Sequence, residues 1–232
     1  MKWDFYQRLQ SALAAGASTA VVTRLSDGAQ ALFDGGTWDG ALALDAEQRA
    51  AVQRMLIGNR SGILPGSDQL FVRSYAQPPR LIVVGAAHIS QFLAPMAALA
   101  GFDVIVIDPR RAFASTERFA GVKLLNAWPD EALEKLQLDS TCAVVTLTHD
   151  PKLDDPALIA ALKSPAYYVG ALGSTRTHAK RVERLTEAGV GDKVGRIHAP
   201  VGLDLGGRAP REIAVSILAE VVQVRYKGAA TG

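Results

Sequence analysis

The chain has 232 residues, 49% hydrophobic and 21% charged, with a formal net charge of +2. That balance suits an ordinary globular protein of one large domain or two smaller ones, and near-neutrality gives no electrostatic case for binding nucleic acid or a membrane surface. Cys142 is the single cysteine, which excludes an internal disulfide and a multi-cysteine zinc site and fits a reducing cytoplasm.

At the N-terminus, Trp3, Tyr6, Leu9 and Leu13 fall on one face of a helix over residues 2–15. Charges interrupt its apolar residues, unlike the continuous hydrophobic core of a secretion signal. Alternating segments over 19–25 and 29–33 flank Ser26-Asp27-Gly28, a hairpin turn. Asp45 with Gln48 three residues on predicts a capping box, opening a helix that ends near Gly58. A strand over 69–75 precedes Ala76-Gln77-Pro78-Pro79. Paired prolines cannot continue a ladder, so a small α+β domain is expected over 1–76 and a second domain over 80–228. No stretch reaches the roughly 20 apolar residues of a membrane span.

The second region is regular. Leu81-Ile82-Val83-Val84 is a continuous apolar run, as in strands buried on both faces of a parallel sheet. A helix over 88–100, a strand over 103–107 and a short strand over 122–125 follow. Next come a helix over 129–136 with proline at its first position, a strong strand over 142–148 and a helix over 156–162. A strand over 167–170, a basic helix over 174–188 and a last helix over 210–226 complete the series. Strands alternating with helices predict an α/β fold with a Rossmann-like parallel sheet and helices on both faces.

In such sheets the turn after the first strand approaches a phosphate, which rests on the next helix N-terminus. Here the turn is Gly85-Ala86-Ala87-His88-Ile89-Ser90. Gly85 supplies the tight turn and Ser90 the close helix–strand packing. Ala87 stands where a second glycine would let a pyrophosphate lie flat, and its methyl weakens the dinucleotide fingerprint. Asp108 follows Gly85 by 23 residues, near the ~20 expected for an acid receiving ribose hydroxyls. The bland alternative is that Gly85 serves only the turn and Asp108 only caps the next segment. Arg110 and Arg111 would meet a terminal phosphate, or are simply solvated.

Two more segments end strands and so face the same crevice. His149 and Asp150 would contact a ligand or orient each other, although Asp150-Pro151 also reads as a plain turn. Gly170-Ala171-Leu172-Gly173-Ser174, with Arg176 one turn into the next helix, reads as an anion-binding arrangement. The glycine-bearing loop 199–207 either covers a ligand or turns the chain into the last helix, whose Ala209-Pro210 start lacks a capping residue at the N-cap. Cys142, mid-strand, is an inert core residue. No Tyr-x-x-x-Lys pair, G-x-S-x-G elbow, P-loop or H-E-x-x-H occurs, so the residues supply neither a catalytic group nor a metal site.

The strings Ile82-Val-Val-Gly-Ala-Ala-His-Ile-Ser90, Val106-Ile-Asp-Pro-Arg110, Thr148-His-Asp-Pro-Lys-Leu-Asp-Asp155, Gly170-Ala-Leu-Gly-Ser174 with Arg176-Thr-His178, and Ile197-His-Ala-Pro-Val-Gly-Leu-Asp204 continued by residues 212–220 closely resemble the Rossmann domain of the XdhC/CoxI family. The resemblance runs over about residues 80 to 226. It implies a maturation factor, not an enzyme in its own right, that binds molybdenum cofactor (molybdopterin or its nucleotide form). The factor protects the cofactor while a cysteine desulfurase supplies sulfur, then delivers it to the apo-form of a molybdenum hydroxylase of the xanthine dehydrogenase, aldehyde oxidase or carbon monoxide dehydrogenase type. It leaves room for a homodimer. The family usually has glycine at the position of Ala87 and a Gly-Gly-Cys-like segment in its N-terminal domain, where this chain has only Asp34-Gly-Gly-Thr-Trp38. The N-terminal domain therefore looks abbreviated. The rival readings from the residues alone are an NAD(P)-binding oxidoreductase and an adaptor without a ligand.

Overall fold

In a computed structural model of the protein, residues 3–228 are described. The chain divides into two compact units, one running to Gln77 and the other covering Pro78–Arg225.

In the first unit the antiparallel strands β1 (Thr19–Arg24), β2 (Gln30–Asp34), β3 (Thr37–Gly40), β4 (Gly62–Ile63) and β5 (Leu70–Tyr75) form one sheet in the order β3-β2-β1-β5-β4. Successive residues of β1 point to opposite faces. Val21 packs with Phe5 and Leu9 of α1 (Trp3–Ala14), while Ala20 and Val22 pack with Val52, Met55 and Leu56 of α2 (Ala46–Ile57). The capping box is present: Gln48 N–H donates to Asp45 Oδ1 at 2.8 Å, and Asp45 N–H donates to Gln48 Oε1 at 3.1 Å. The short strands β3 and β4 were not expected, because four and two residues give too little alternation to detect.

The second unit holds six parallel strands: β6 (Arg80–Val84), β7 (Asp103–Ile107), β8 (Lys123–Leu125), β9 (Cys142–Thr146), β10 (Tyr168–Ala171) and β11 (Ile197–His198). Their order is β11-β10-β9-β6-β7-β8. Leu81 and Val83 face α3 (His88–Leu99) and α7 (Pro210–Gly228), with Leu93, Ala97 and Ile217 in that core. Ile82 and Val84 face α4 (Pro129–Leu136), α5 (Pro151–Lys163) and α6 (Thr175–Glu187), through residues such as Leu133, Leu158 and Leu185. Both faces are covered, which is why the strands read as unbroken apolar runs.

Three expectations need correction. The helix expected over 156–162 begins at Pro151, because Asp150 caps it by accepting from Lys152 N–H at 3.0 Å, and Pro156 lies inside it. The preceding strand stops at Thr146, since Thr148 turns its hydroxyl to the Asp154 carboxylate. The start of α7 is capped after all: Glu212 accepts from the N–H groups of Arg208 and Ala209, both at 3.0 Å. A 3₁₀ turn (Gly191–Arg196) and β11 were not anticipated.

Candidate functional site

Strand order reverses between β6 and β9, the neighbours at the centre of the sheet. In open parallel sheets ligands bind at that reversal, beyond the carboxyl ends of the strands. Gly85 leaves β6 with φ +109°, and a Cβ there would lie 2.6 Å from Thr148 Cγ2 and 3.2 Å from Thr148 N. Only glycine lets the β6 turn and the β9 loop come this close. Ala87 is the N-cap of α3 in an extended conformation, and no side chain caps the helix. The first-turn N–H groups therefore keep their partial positive charge at the crevice. Ser90 is buried and donates its hydroxyl to the Ala87 carbonyl at 2.7 Å, while His88 is exposed.

Asp108 does not reach into the crevice as a free ribose acceptor. It is fully buried, and its two oxygens accept from Ala86 N–H, Arg110 N–H, and Arg110 Nε and Nη2 at 2.8–2.9 Å. Burial works to raise its pKa, but the Arg110 guanidinium and the two backbone donors outweigh it and hold the carboxyl below the ordinary value. Arg110 stacks over the Phe113 ring at 4.7 Å and is also drawn electrostatically toward Asp150 and Asp154.

The β9 loop carries His149 at φ +60°, a left-handed conformation uncommon outside glycine, with its side chain exposed. Its neighbours fix it there. Asp150 N–H donates to Thr148 Oγ1 at 3.0 Å, and Thr148 Oγ1 donates to buried Asp154 at 2.7 Å. After β10, Gly173 (φ +134°) leads to Ser174, which caps α6 by accepting from Thr177 N–H at 3.2 Å. That bond takes one of the helix donors expected to face outward. Gly170 is buried inside β10, where a Cβ would strike Val201 and Tyr168, so its small size serves packing rather than ligand approach.

His149 and Arg176 are brought together, lining one open pocket of about 280 Å³ with Pro151, Asp154 and one face of α6. Gly85, Ala87 and His88 do not line it. Cys142 is buried at the start of β9, and burial pushes its thiol up to about 11, as befits a core residue. Sequence reasoning missed a second network. Glu220 of α7 accepts from Tyr168 Oη at 2.6 Å and Gly202 N–H at 2.7 Å, and pairs with His198 Nδ1 at 2.9 Å. It fastens the loop after β11 to α7. No helix among the described residues is long and apolar enough to cross a membrane.

An open parallel sheet of this order, with helices on both faces and a helix N-terminus at its order reversal, defines a Rossmann-type α/β domain. A family model described as the XdhC Rossmann domain matches residues 81–221, and the chain belongs to that family. It is 34% identical over 168 residues to a Bacillus subtilis protein described as a probable xanthine dehydrogenase subunit, covering 71% of this chain and 49% of that one. It is 35% identical over 147 residues to the Escherichia coli molybdenum cofactor insertion chaperone PaoD, covering 63% of this chain and 40% of that one. The chain thus spans less than half the length of either relative. A crystal structure of a Bacillus halodurans protein described as a xanthine dehydrogenase shares the fold, with TM-score 0.71 at 23% identity over 98% of this chain and 69% of that one.

Proposed function

We propose that the protein is a maturation factor that binds molybdenum cofactor and passes it to a molybdenum hydroxylase. The observation that carries this reading is the uncapped α3 N-terminus at the strand-order reversal, in a chain whose family includes a relative named for cofactor insertion. The donor set suits an anionic, hydrogen-bonding cargo. The N–H groups from Ala87 to Ile89 would take its phosphate. His88 and His149, both exposed, would meet the polar ring system, and the loop at Gly173 and Ser174 with Arg176 would close the far side. Arg110, already held by Asp108, would add charge without moving. Sulfuration by a cysteine desulfurase while the cofactor is bound belongs to the same reading.

The rival is an NAD(P)-binding oxidoreductase, favoured by the strand order. Against it, the acid that would receive ribose hydroxyls is saturated by Arg110 and Ala86. The test is to purify the protein from a molybdenum-replete host and identify what it carries. The expected result is a fluorescent oxidised pterin after acid release. Nicotinamide in its place would establish the rival.

A further inference from the structure

The face of α6 toward the first turn of α5 carries Thr177, Lys180, Arg181 and Arg184, spaced three, four and seven residues apart on one helical stripe. Arg181 is 2% exposed, a rare position for arginine. Its Nη2 donates to the Leu172 carbonyl at 2.8 Å, but Nε and Nη1 have no hydrogen-bond partner among the described residues. The nearest carboxylate, Asp154, stands 4.0 Å from Nη2, beyond hydrogen-bonding reach, and Thr148 already donates to it. A buried guanidinium with two orphaned donor groups costs free energy unless something charged completes it.

The charges around this pocket do not cancel. Arg184 is matched by Asp155 in a two-point pair and Arg181 faces Asp154, which leaves Arg176 and Lys180 as excess positive charge. Neither makes a salt bridge among the described residues. An excess of two positive charges matches a dianion rather than an apolar chain, and an open volume of about 280 Å³ leaves room for the group that carries it.

We propose that the pocket between α5 and α6 is an oxyanion site, separate from the α3 turn, that takes a tetrahedral dianion: the monoester end of a phosphorylated ligand or a free inorganic oxyanion. Arg176 and Lys180 supply the charge, and Arg181 defines the floor. The proposal rests on the pocket alone and stands whether or not the cargo is molybdenum cofactor.

Calorimetric titration of the full chain at low ionic strength, with inorganic phosphate and separately with phenyl phosphate, tests it. Each probe is expected to bind this pocket saturably, measured in the Ala87→Asp background so that the α3 turn does not contribute, and the double variant Arg176→Ala/Lys180→Ala, confined to exposed residues, to lose roughly tenfold or more in affinity. Phenyl phosphate binding tighter than phosphate assigns the pocket to the end of a larger ligand, and equal binding assigns it to the free ion. Arg181→Met is expected to lose the site as well; if that variant does not fold, the double variant decides. Ala87→Asp, which places a carboxylate at the α3 turn, should leave this binding within about twofold while abolishing cargo retention, so the α3 turn and this pocket fail separately, although Arg176 would also touch the far side of the proposed cargo. No saturable binding by the native protein, or full affinity in the double variant, overturns the proposal.

Discussion

Asp108 and Arg110 form a pair in which one partner is fully buried and the other is 39% exposed at its side chain. Removing the charge leaves the arginine able to reach water, so Asp108→Asn should cost about 1–3 kcal/mol at neutral pH, less than breaking a pair buried on both sides. Because the folded pKa lies below the ordinary 3.8, the contribution is fully present above that value and fades as pH falls through the lower folded one. Urea denaturation at a series of pH values should therefore show native and variant converging only in strong acid. At Gly85, alanine would meet both φ +109° and the Thr148 methyl. Gly85→Ala should destabilise by about 2–4 kcal/mol, read as a lower urea midpoint at unchanged slope. His149→Gly should separate stability from binding: glycine accepts φ +60° without strain, so stability holds or rises by up to about 1 kcal/mol, while cargo affinity falls if the imidazole contacts it. Gly85 was legible because a turn glycine directly follows an apolar strand. That Asp108 is turned inward was not, since an acid after the second strand looks the same whether it faces ribose or the next arginine.

Among the elements, those with strong periodicity and conventional caps could be read from the chain. The Asp45–Gln48 capping box and the proline start of α4 both stand where the pattern puts them. Elements that begin on side chains reaching backward could not. The start of α5 was hidden because Pro156 looked like a first helical residue when Pro151 holds that place. The cap of α7 comes from Glu212, inside the helix. Arg181 escaped notice because arginine on a basic helix is expected to be solvated, although its position four residues before buried Leu185 lies on the apolar stripe. Ser174 offers an element-scale measurement. Its hydroxyl is the side-chain cap of α6, so Ser174→Ala should cost about 1 kcal/mol. Amide exchange should quicken in the first turn of α6 while β9 and β10 keep their protection.

At the scale of the whole molecule, the proposed function asks for retention and release together. A maturation factor must hold its cargo tightly enough to exclude water and oxidants, yet surrender it on contact with a partner. Several modest polar contacts from separate loops satisfy that requirement better than one deep cavity, because a partner can replace them one at a time. The sheet edge is built this way: the α3 turn, the His149 loop and the Ser174 turn into α6 each leave a different strand. The decisive measurement is a deletion strain grown on a substrate of the molybdenum hydroxylase served. The hydroxylase should accumulate folded but short of active cofactor, and activity should return with the native gene. A gene carrying Ala87→Asp should restore much less, since the helix N-terminus offered to the phosphate would face a fixed negative charge. Full hydroxylase activity and full cofactor occupancy in the deletion strain, with no related gene to compensate, would end the maturation reading.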